Sequence, residues 1–363
     1  MRISGKHEGL SQIGELPLVA ETPESLLDDD TTPTEKFYVR NNGPVPEAPA
    51  DAEKWEFVID GEVNSPLRIS LGELRSRFET VTRRILIECG GNGRSFFSPT
   101  PAGNQWTTGG VGCAEWTGVR LADVLKAAGL KSSAAFTGHY GADPSLTNPD
   151  MPAFSRGVPI QKALEPDHLI AWAMNGEPLT PIHGAPLRLV IGGWSGSISA
   201  KWLRRIWVRD RIHDGPGMGG TSYRIPIKPI VPGSAPDPSD FRELESMPVR
   251  SIITSPASGT RFPAGTREIA LRGASWAGDR TVARVDVSID GGATWRLTAL
   301  QNPRNRFDWQ RWTAVVTMPS DGYFEIWSRA TDSEGVMQPH APCNWNPQGY
   351  GANPMRSIKV QIG

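Results

Sequence analysis

Cysteine is scarce in this chain, and charge of neither sign dominates it. Cys89, Cys113 and Cys343 are the three cysteines among 363 residues, and no C-x-x-C pair occurs. Three thiols this far apart form neither a disulfide framework nor a cysteine knuckle for a metal ion, and because their number is odd, at least one thiol is free. The formal net charge is -1. Because no basic field exists, we expect no nucleic acid partner.

Long apolar runs are also absent. No run of about 18 apolar residues occurs, and we therefore expect no membrane span. The first residues, Met1 to Lys6, lead into polar sequence without the apolar segment of a signal peptide. Neither the cysteines nor the start of the chain identifies a compartment.

Glycine and proline are abundant instead. The 39 glycines and 32 prolines show no period, which indicates a loop-rich and strand-rich globular protein, and the length suggests about two domains. The first 50 residues are acidic and proline-rich, and residues 1–35 form the first part of this stretch. We interpret them as an extended N-terminal arm that wraps the surface.

Residues 36–240 mix helical and strand-like patterns. A short helix is predicted to begin near Ser70, and a second one over residues 121–128, where Gly129 is the stop signal. A third helix and then an apolar strand are predicted before the Asn-Gly turn at 175–176. The expected fold class of this part is therefore mixed α+β.

The pattern changes after the proline-rich linker at 225–240. Residues 241–363 contain short alternating segments separated by turns, which is typical of a β-sandwich of about 100 residues. Asp290-Gly291-Gly292 predicts a hairpin turn, and we expect Trp295 and Trp312 in the core.

A lone cysteine directly after a strand-like run is the most informative local feature. Ile85-Leu86-Ile87 leads to Cys89, and Gly90-Gly91-Asn92-Gly93 follows. Glycine permits the close approach of a bulky group to the backbone. The alternative interpretation is a buried structural cysteine followed by an ordinary turn.

Several separated motifs resemble the sulfite oxidase family of molybdopterin enzymes. They are "FYVRNN", "ECGGNGRS", "EWTGVRLADVLKAAG", "AMNGEPLTPIHGAPLRLV", "SAKWLRRI", "RVDVSIDGGATW" and "CNWNPQG". Their order and spacing extend the resemblance from about Phe37 to Gly363. It implies a sulfite-oxidase-type mixed α/β molybdopterin domain (36–240), followed by an immunoglobulin-like β-sandwich that serves as the dimerisation domain (241–363).

The resemblance implies a molybdenum–molybdopterin cofactor (Mo-MPT) with Cys89 as the thiolate ligand to the metal. The neighbouring glycines would then make room for the metal and its dithiolene. Arginine suits an oxyanion through its planar fork, and lysine supplies a point charge. The residues implied for cofactor binding are Tyr38, Val39, Arg40, Asn41, Asn42, Cys89, His183, Arg188, Ser199, Ala200 and Lys201. Cys113 and Cys343 are interpreted as small packed residues.

A substrate oxyanion requires fixed positive charge. The resemblance implies Arg40 and Tyr223, with Cys89, as catalytic residues, and Arg40 and Tyr223 also as substrate-binding residues. Trp106 is expected to wall the substrate pocket, and Gln348 to bind substrate at its edge. Animal and plant relatives carry arginine at the Gln348 position, in the W-N-x-R-G segment, so this departure leaves substrate affinity or identity open. The alternative for Tyr223 is a surface tyrosine in a linker.

The implied reaction is the oxidation of sulfite to sulfate, with electrons passed to an external acceptor such as a c-type cytochrome. No C-x-x-C-H motif occurs, and a cytochrome b5 domain has no room before Phe37, so we expect no haem in this chain. The resemblance also implies a homodimer and a periplasmic location, as in bacterial haem-free sulfite dehydrogenases. Two alternatives stay open: a related molybdopterin enzyme for another sulfur compound, and a cofactor-free binding or scaffold protein.

Overall fold

Short β-strands make up most of the fold. The computed structural model describes residues 3–363, and helices are few within them. The α-helices are α1 (Leu71–Arg77), α2 (Leu121–Ala128) and α3 (Ile160–Ala163). The 3₁₀ helices are Glu24–Leu26, Ala52–Lys54, Arg94–Phe96, Pro181–His183, Gly196–Ile198 and Pro238–Asp240. No helix in residues 3–363 is long and apolar enough to cross a membrane.

The strands divide into an earlier and a later group. The earlier strands are β1 (Ser11–Gly14), β2 (Val19–Glu21), β3 (Val39–Arg40), β4 (Glu56–Gly61), β5 (Leu67–Ser70), β6 (Val81–Glu88), β7 (Val111–Arg120), β8 (Phe136–Gly141), β9 (Ser155–Arg156), β10 (Leu169–Met174), β11 (Glu177–Pro178), β12 (Arg188–Val190) and β13 (Leu203–Arg209). The later strands are β14 (Arg224–Pro226), β15 (Phe241–Glu243), β16 (Arg250–Ser255), β17 (Thr260–Phe262), β18 (Glu268–Trp276), β19 (Val282–Ser288), β20 (Arg296–Leu297), β21 (Ala299–Leu300), β22 (Gln310–Thr317), β23 (Gly322–Asp332) and β24 (Arg356–Ile362).

Two five-stranded sheets form the first half of the molecule. One has the order β11-β10-β7-β6, with β12 also paired to β10, and the other has the order β5-β4-β13-β8-β9. Apolar side chains of both sheets meet in one core, which includes Ile59 of β4, Ile206 of β13, Val119 of β7 and Ile170 of β10. The mixed α+β class is therefore confirmed only in part, because the structure is mostly sheet with few helices.

The predicted helices begin and end where their local signals lie. Ser70 caps α1 with a capping box, since its hydroxyl accepts from the Glu73 amide and the Glu73 carboxylate accepts from the Ser70 amide. α2 ends at Gly129, whose φ of 69° is the left-handed conformation that favours glycine. α3 is only one turn long, because Pro166 follows closely and the chain must return to begin β10.

The later strands form a two-layer β-sandwich. Its sheets have the orders β16-β18-β22-β21 and β17-β24-β23-β19-β20. Trp312 of one sheet and Ile326 of the other lie in a shared apolar core. Trp295 was predicted in that core but is half-buried beneath Arg329, with the guanidinium carbon 3.9 Å from the ring centroid. Its position beside the edge strand β20 explains the difference.

The N-terminal segment is part of the core and does more than wrap the surface. β1 pairs with β2, and β2 pairs with β3. Leu27 is fully buried in a cluster with Leu86 of β6 and Trp276 of β18. The segment therefore packs against the first half of the molecule and the sandwich at once.

A buried ion pair ties the strand before the lone cysteine to the sandwich. The Glu88 carboxylate lies 2.5 Å from Arg250 Nε of β16. It also accepts hydrogen bonds from Trp276 Nε1 at 2.8 Å and Asn92 Nδ2 at 2.9 Å. Because charged and neutral donors surround this buried carboxylate, the end of β6 is held firmly in place.

Candidate active site

Strand β6 delivers Cys89 to the floor of a cavity. The strand pairs with β7 up to Glu88, and the Cys89 amide donates to the Gly110 carbonyl at 2.8 Å. The chain then turns, since the Asn92 amide donates to the Cys89 carbonyl at 2.9 Å. Only 7% of Cys89 is exposed, and it lines the cavity.

Protein groups occupy the space beside the glycines that follow Cys89. A Cβ atom at Gly90 would lie 2.7 Å from the Ser195 hydroxyl oxygen, and one at Gly91 would lie 2.5 Å from the Arg94 guanidinium. Gly93 has a φ of 86°, which disfavours a side chain. At these positions the close approach that glycine permits is that of protein groups, and the expectation that the glycines also make room for a metal stays a prediction.

Most of the predicted residues meet around this cavity, whose empty volume, mouth included, is about 760 Å³. These residues come from segments that are distant in the sequence. The segments that converge here are β3, the Cys89 loop, the 181–201 region and the 215–223 loop. The predicted residues that line the cavity are Tyr38, Arg40, Asn41, Asn42, Cys89, His183, Arg188, Ser199, Ala200, Lys201 and Tyr223.

Three predicted residues do not line the cavity. Val39 is buried on the opposite face of β3 from Tyr38 and Arg40, as alternation along a strand requires. Trp106 is fully buried behind Tyr38, with ring centroids 5.8 Å apart, so it supports the wall instead of forming it. Gln348 donates its amide to the Thr221 hydroxyl at 2.8 Å and lies beside the cavity.

A buried arginine and a partly buried lysine line the cavity together. Arg188 donates to the His183 carbonyl at 2.9 Å and to the Ser199 carbonyl at 3.3 Å. Lys201 donates to Asn41 Oδ1 at 2.6 Å and to the Ile182 carbonyl at 2.8 Å. These backbone and amide contacts fix the direction of both side chains without neutralising either charge.

The electrostatics of this cluster indicate an anionic ligand. Burial lowers the pKa of Arg188 to about 10. Burial and the neighbouring Arg188 lower the pKa of Lys201 well below its usual range. Burial raises the pKa of Asp143, the one carboxylate among the residues that line the cavity. Phosphate and other oxyanions would relieve the repulsion between these cations.

The donor set fits a molybdopterin. Such a cofactor combines a phosphate, polar ring edges and a metal carried on sulfur, and the cavity offers cations, amides and a single thiol that suit these groups. Among residues 3–363, no cluster of three or more His, Cys, Asp or Glu side chains could hold a metal.

Arg40 and Arg94 act on the thiol from its surroundings. Burial raises the pKa of Cys89, and the positive charges of Arg40 and Arg94 oppose that rise. Arg94 is held by its Nε–H, which donates to the Gln348 carbonyl at 2.7 Å, and by Nη1, which donates to Asn104 at 2.8 Å. Bound thiolate would therefore be stabilised from two sides.

Tyr223 reaches the cavity through a strained backbone. Its φ is 49°, which is uncommon for a residue with a side chain. The ring stacks on Tyr350 at 4.6 Å between centroids. Only 6% of Tyr223 is exposed, so the alternative of a surface tyrosine does not apply.

Two residues that line the cavity, and one that contacts a lining residue, have no recognisable signal in the sequence. Arg156 and His139 come from paired strands β9 and β8, and their local sequence has no pattern that separates them from ordinary strand residues. Lys6 Nζ lies 2.8 Å from His183 Nε2, although nothing in the acidic N-terminal segment suggests this contact. Only the strand pairing and the chain path reveal them.

Comparison with known proteins identifies the family. A family model described as "Oxidoreductase molybdopterin binding domain" matches residues 42–216, and one described as "Mo-co oxidoreductase dimerisation domain" matches residues 242–363. Sulfite oxidase of Gallus gallus is 33% identical over 95% of this chain and 76% of its own length. The chain belongs to the sulfite oxidase family. Its cofactor is accordingly molybdenum–molybdopterin, for which the cavity has matching donors.

A second sulfite oxidase and a solved structure are also similar to this chain. Mitochondrial sulfite oxidase of Drosophila melanogaster is 33% identical over 98% of this chain, and the chain spans 64% of that relative's length. The sulfane dehydrogenase SoxCD from Paracoccus pantotrophus has a similar crystal structure, with a TM-score of 0.80 at 25% identity. The match covers 98% of this chain and 87% of that one.

Proposed function

We propose that this protein oxidises sulfite to sulfate at a molybdenum–molybdopterin centre held by Cys89. The observation that carries the proposal is the convergence of one thiol with Arg40, Arg188 and Lys201 around a single cavity. Identity with sulfite oxidases over nearly the whole chain supports the substrate class.

The cofactor, when bound, supplies the two-electron redox chemistry and the transferred oxygen. The chain's own residues would hold it, with Cys89 as the metal's thiolate ligand and Arg188, Lys201 and His183 at its anionic tail. Asn41 orients Lys201 through its side-chain oxygen. Tyr38, Asn42, Ser199 and Ala200 would contact the organic part of the cofactor.

Arg40 and Tyr223 would bind the substrate. Arg40 brings a positive charge close enough to affect the Cys89 thiol, and Tyr223 places a phenol at the same end of the cavity. Fixed cations attract a dianion and balance charge as it develops. The tyrosine hydroxyl would donate a hydrogen bond to an oxygen of the substrate or product.

The larger organisation is part of the same proposal. Residues 1–35 would form the N-terminal segment, residues 36–240 the catalytic domain, and residues 241–363 an immunoglobulin-like domain that joins two chains. A c-type cytochrome would accept the electrons, and the protein would act in the periplasm. The family model for residues 242–363 supports the homodimer.

A related reaction on another sulfur compound is the second candidate. The structural similarity to sulfane dehydrogenase SoxCD over 98% of the chain favours it, because that enzyme acts on a different sulfur substrate. Gln348, which contacts Thr221 beside the cavity, brings no positive charge for a small dianion.

Metal analysis and a substrate panel test the proposal. Purified protein should contain about one molybdenum per chain and release a fluorescent pterin on denaturation. It should reduce ferricyanide or cytochrome c with sulfite far faster than with thiosulfate or a persulfide. Faster turnover of a persulfide would favour the second candidate, and the absence of both metal and pterin would leave a scaffold protein.

A further inference from the structure

Arg156 lines the cavity, but none of the roles assigned so far involves it. It ends the two-residue strand β9, where its backbone pairs with His139 of β8, and its side chain lines the cavity. Only 3% of the residue is exposed. A buried arginine is stable only when its charge and its N–H groups find partners.

Most of the N–H groups of Arg156 have no hydrogen-bond acceptor in the part of the chain that the structure describes. Nη1 donates to the Gly217 carbonyl at 3.0 Å, whereas the buried Nε–H has no partner. Within residues 3–363, no carboxylate lies close enough to form an ion pair with it. Burial lowers the pKa of Arg156, and Tyr223, Glu243 and Tyr350 oppose that effect. The guanidinium is therefore a desolvated cation with donors to spare.

The position of Arg156 indicates which anion it would meet. Its guanidinium carbon lies 4.7 Å from the centroid of the Tyr223 ring. The same ring lies against the Cys89 loop, since a Cβ atom at Gly90 would be 3.2 Å from Tyr223 Cδ1. Arg188 and Lys201, by contrast, are tied to His183 and Asn41. Arg156 thus belongs to the thiol and tyrosine end of the cavity.

We infer that Arg156 is a second anion-binding residue for the substrate, acting with Arg40 on the sulfur oxyanion beside Tyr223. The inference rests on the proposed function, because it takes the substrate to be a small oxyanion. The planar guanidinium can donate two parallel N–H groups to one oxyanion while it remains stacked on the tyrosine ring. Binding of substrate would complete the partner set that the protein itself leaves open.

Arg209 is a matched control. It is also 3% exposed, and its guanidinium carbon lies 4.2 Å from the centroid of the Trp207 ring. Unlike Arg156, it pairs with the Asp214 carboxylate and does not line the cavity. Replacing either arginine with glutamine changes the net charge of the molecule by the same amount. Of the two, only Arg156 lines the cavity.

The experiment measures sulfate binding to the molybdenum-loaded protein by calorimetry at low salt. Arg156→Gln should weaken sulfate affinity by about 10- to 100-fold, the effect of losing a charge-assisted contact. It should raise the KM for sulfite and flatten the dependence of sulfate affinity on ionic strength. Arg209→Gln should change sulfate affinity less than about twofold. Unchanged sulfate affinity in folded Arg156→Gln would overturn the inference.

Two further measurements separate the alternatives. If Arg156 bound the anionic cofactor instead, Arg156→Gln would lose molybdenum and pterin while sulfate affinity per molybdenum stayed normal, which also overturns the inference. If the glutamine variant did not fold, Arg156→Lys would decide, because it keeps the charge and loses the planar fork. We expect it to fold and to bind sulfate about 3- to 10-fold more weakly.

Failure of the proposed function is distinguishable from failure of this inference. A wild-type holoprotein that did not oxidise sulfite would refute the proposed reaction. Comparison of sulfate affinity between that protein and Arg156→Gln would still show whether Arg156 binds an oxyanion. Conversely, normal sulfite oxidation with unchanged sulfate affinity in Arg156→Gln would refute the inference alone.

Discussion

The three cysteines show how strongly one residue type depends on its surroundings. Cys113 is fully buried, its thiol donates to Asp308 at 3.3 Å, and burial with that carboxylate raises its pKa. Cys343 is exposed, although it was predicted to be packed, because it lies in an irregular segment after β23. Cys89 alone combines a cavity with neighbouring cations. Burial raises the pKa of the Cys89 thiol and the charges of Arg40 and Arg94 oppose that rise, so a bound metal would supply the remaining stabilisation of a thiolate in the role proposed for Cys89.

Cys89→Ser should abolish turnover while leaving a folded protein. Serine fits the same space at the end of β6, but an alkoxide is a harder donor than a thiolate and suits the metal poorly. Visible absorption from the metal–thiolate bond and activity per molybdenum are the measurements, with Cys343→Ser as a control that retains both. Wild-type activity and absorption in Cys89→Ser would contradict the assignment.

Arg40→Gln should weaken substrate binding and leave cofactor content near normal. Loss of one charge-assisted contact costs about 1.5–3 kcal/mol, so kcat/KM for sulfite should fall roughly 10- to 150-fold. Steady-state kinetics and molybdenum analysis check this, and Arg68→Gln, an exposed surface pair with Glu56, serves as the control. A drop in molybdenum with normal kinetics per metal would assign Arg40 to the cofactor.

At the scale of elements, the end of β6 is the structural centre of the site. Glu88, the last residue of the strand, contacts Arg250 and Trp276 of the sandwich. Cys89, the residue after it, lines the cavity. The 215–223 loop and the Cys89 loop then meet where Tyr223 lies against Gly90. The sandwich and the sheets of the first half are thus in contact at Glu88, one residue before Cys89.

Arg250→Met should destabilise the protein strongly. It leaves the buried Glu88 carboxylate without its cation, which costs about 3–5 kcal/mol in comparable buried pairs. The free energy of unfolding in urea should fall accordingly, and molybdenum content should fall with it because Cys89 is no longer held. Arg272→Met is the control, since the Arg272 side chain is 54% exposed and Asp28 keeps Arg311 as a second cation, so the loss should be about 1 kcal/mol or less. Equal losses in the two variants would show that the buried pair has no special role.

At the scale of the whole molecule, we propose that the sandwich has two functions, packing against the first half of the chain and joining two chains. One end packs on the first half of the chain through Leu27, Leu86 and Trp276. Other parts leave large apolar side chains in solvent, including Val315 at 58% and Tyr323 at 61% exposure. Exposed apolar groups on a domain of a dimerising family fit a contact between two chains.

The full chain should sediment as a dimer of about 79 kDa, twice the 39.5 kDa of one chain. Sedimentation velocity across a range of concentrations measures this. Dimer mass should persist on dilution to the submicromolar range if the interface is of ordinary size and apolar character. A monomer at every concentration would contradict the role proposed for residues 241–363.

Signals carried by a few neighbouring residues were legible in the sequence. The Ser70 cap, the Gly129 stop and the apolar run that ends at Cys89 act within one or two turns of chain, so they predict elements without knowledge of the fold. The order of separated motifs predicted the family and most of the cavity. The cavity residues were implied by the resemblance to that family, to which this chain's motifs were matched by residue type, order and spacing.

What only the tertiary structure decided depends on contacts between distant segments. It placed Trp106 behind Tyr38, turned Gln348 toward Thr221 and filled the space beside Gly91 with Arg94. It also brought Arg156 over the Tyr223 ring and Lys6 beside His183. Local propensity carries no information about such pairs, because their distances follow from sheet packing and chain path. Sequence alone therefore determined the family and predicted Cys89 as the metal ligand, whereas tertiary packing decided which cations line the cavity, because only the paired strands and the chain path bring those side chains together.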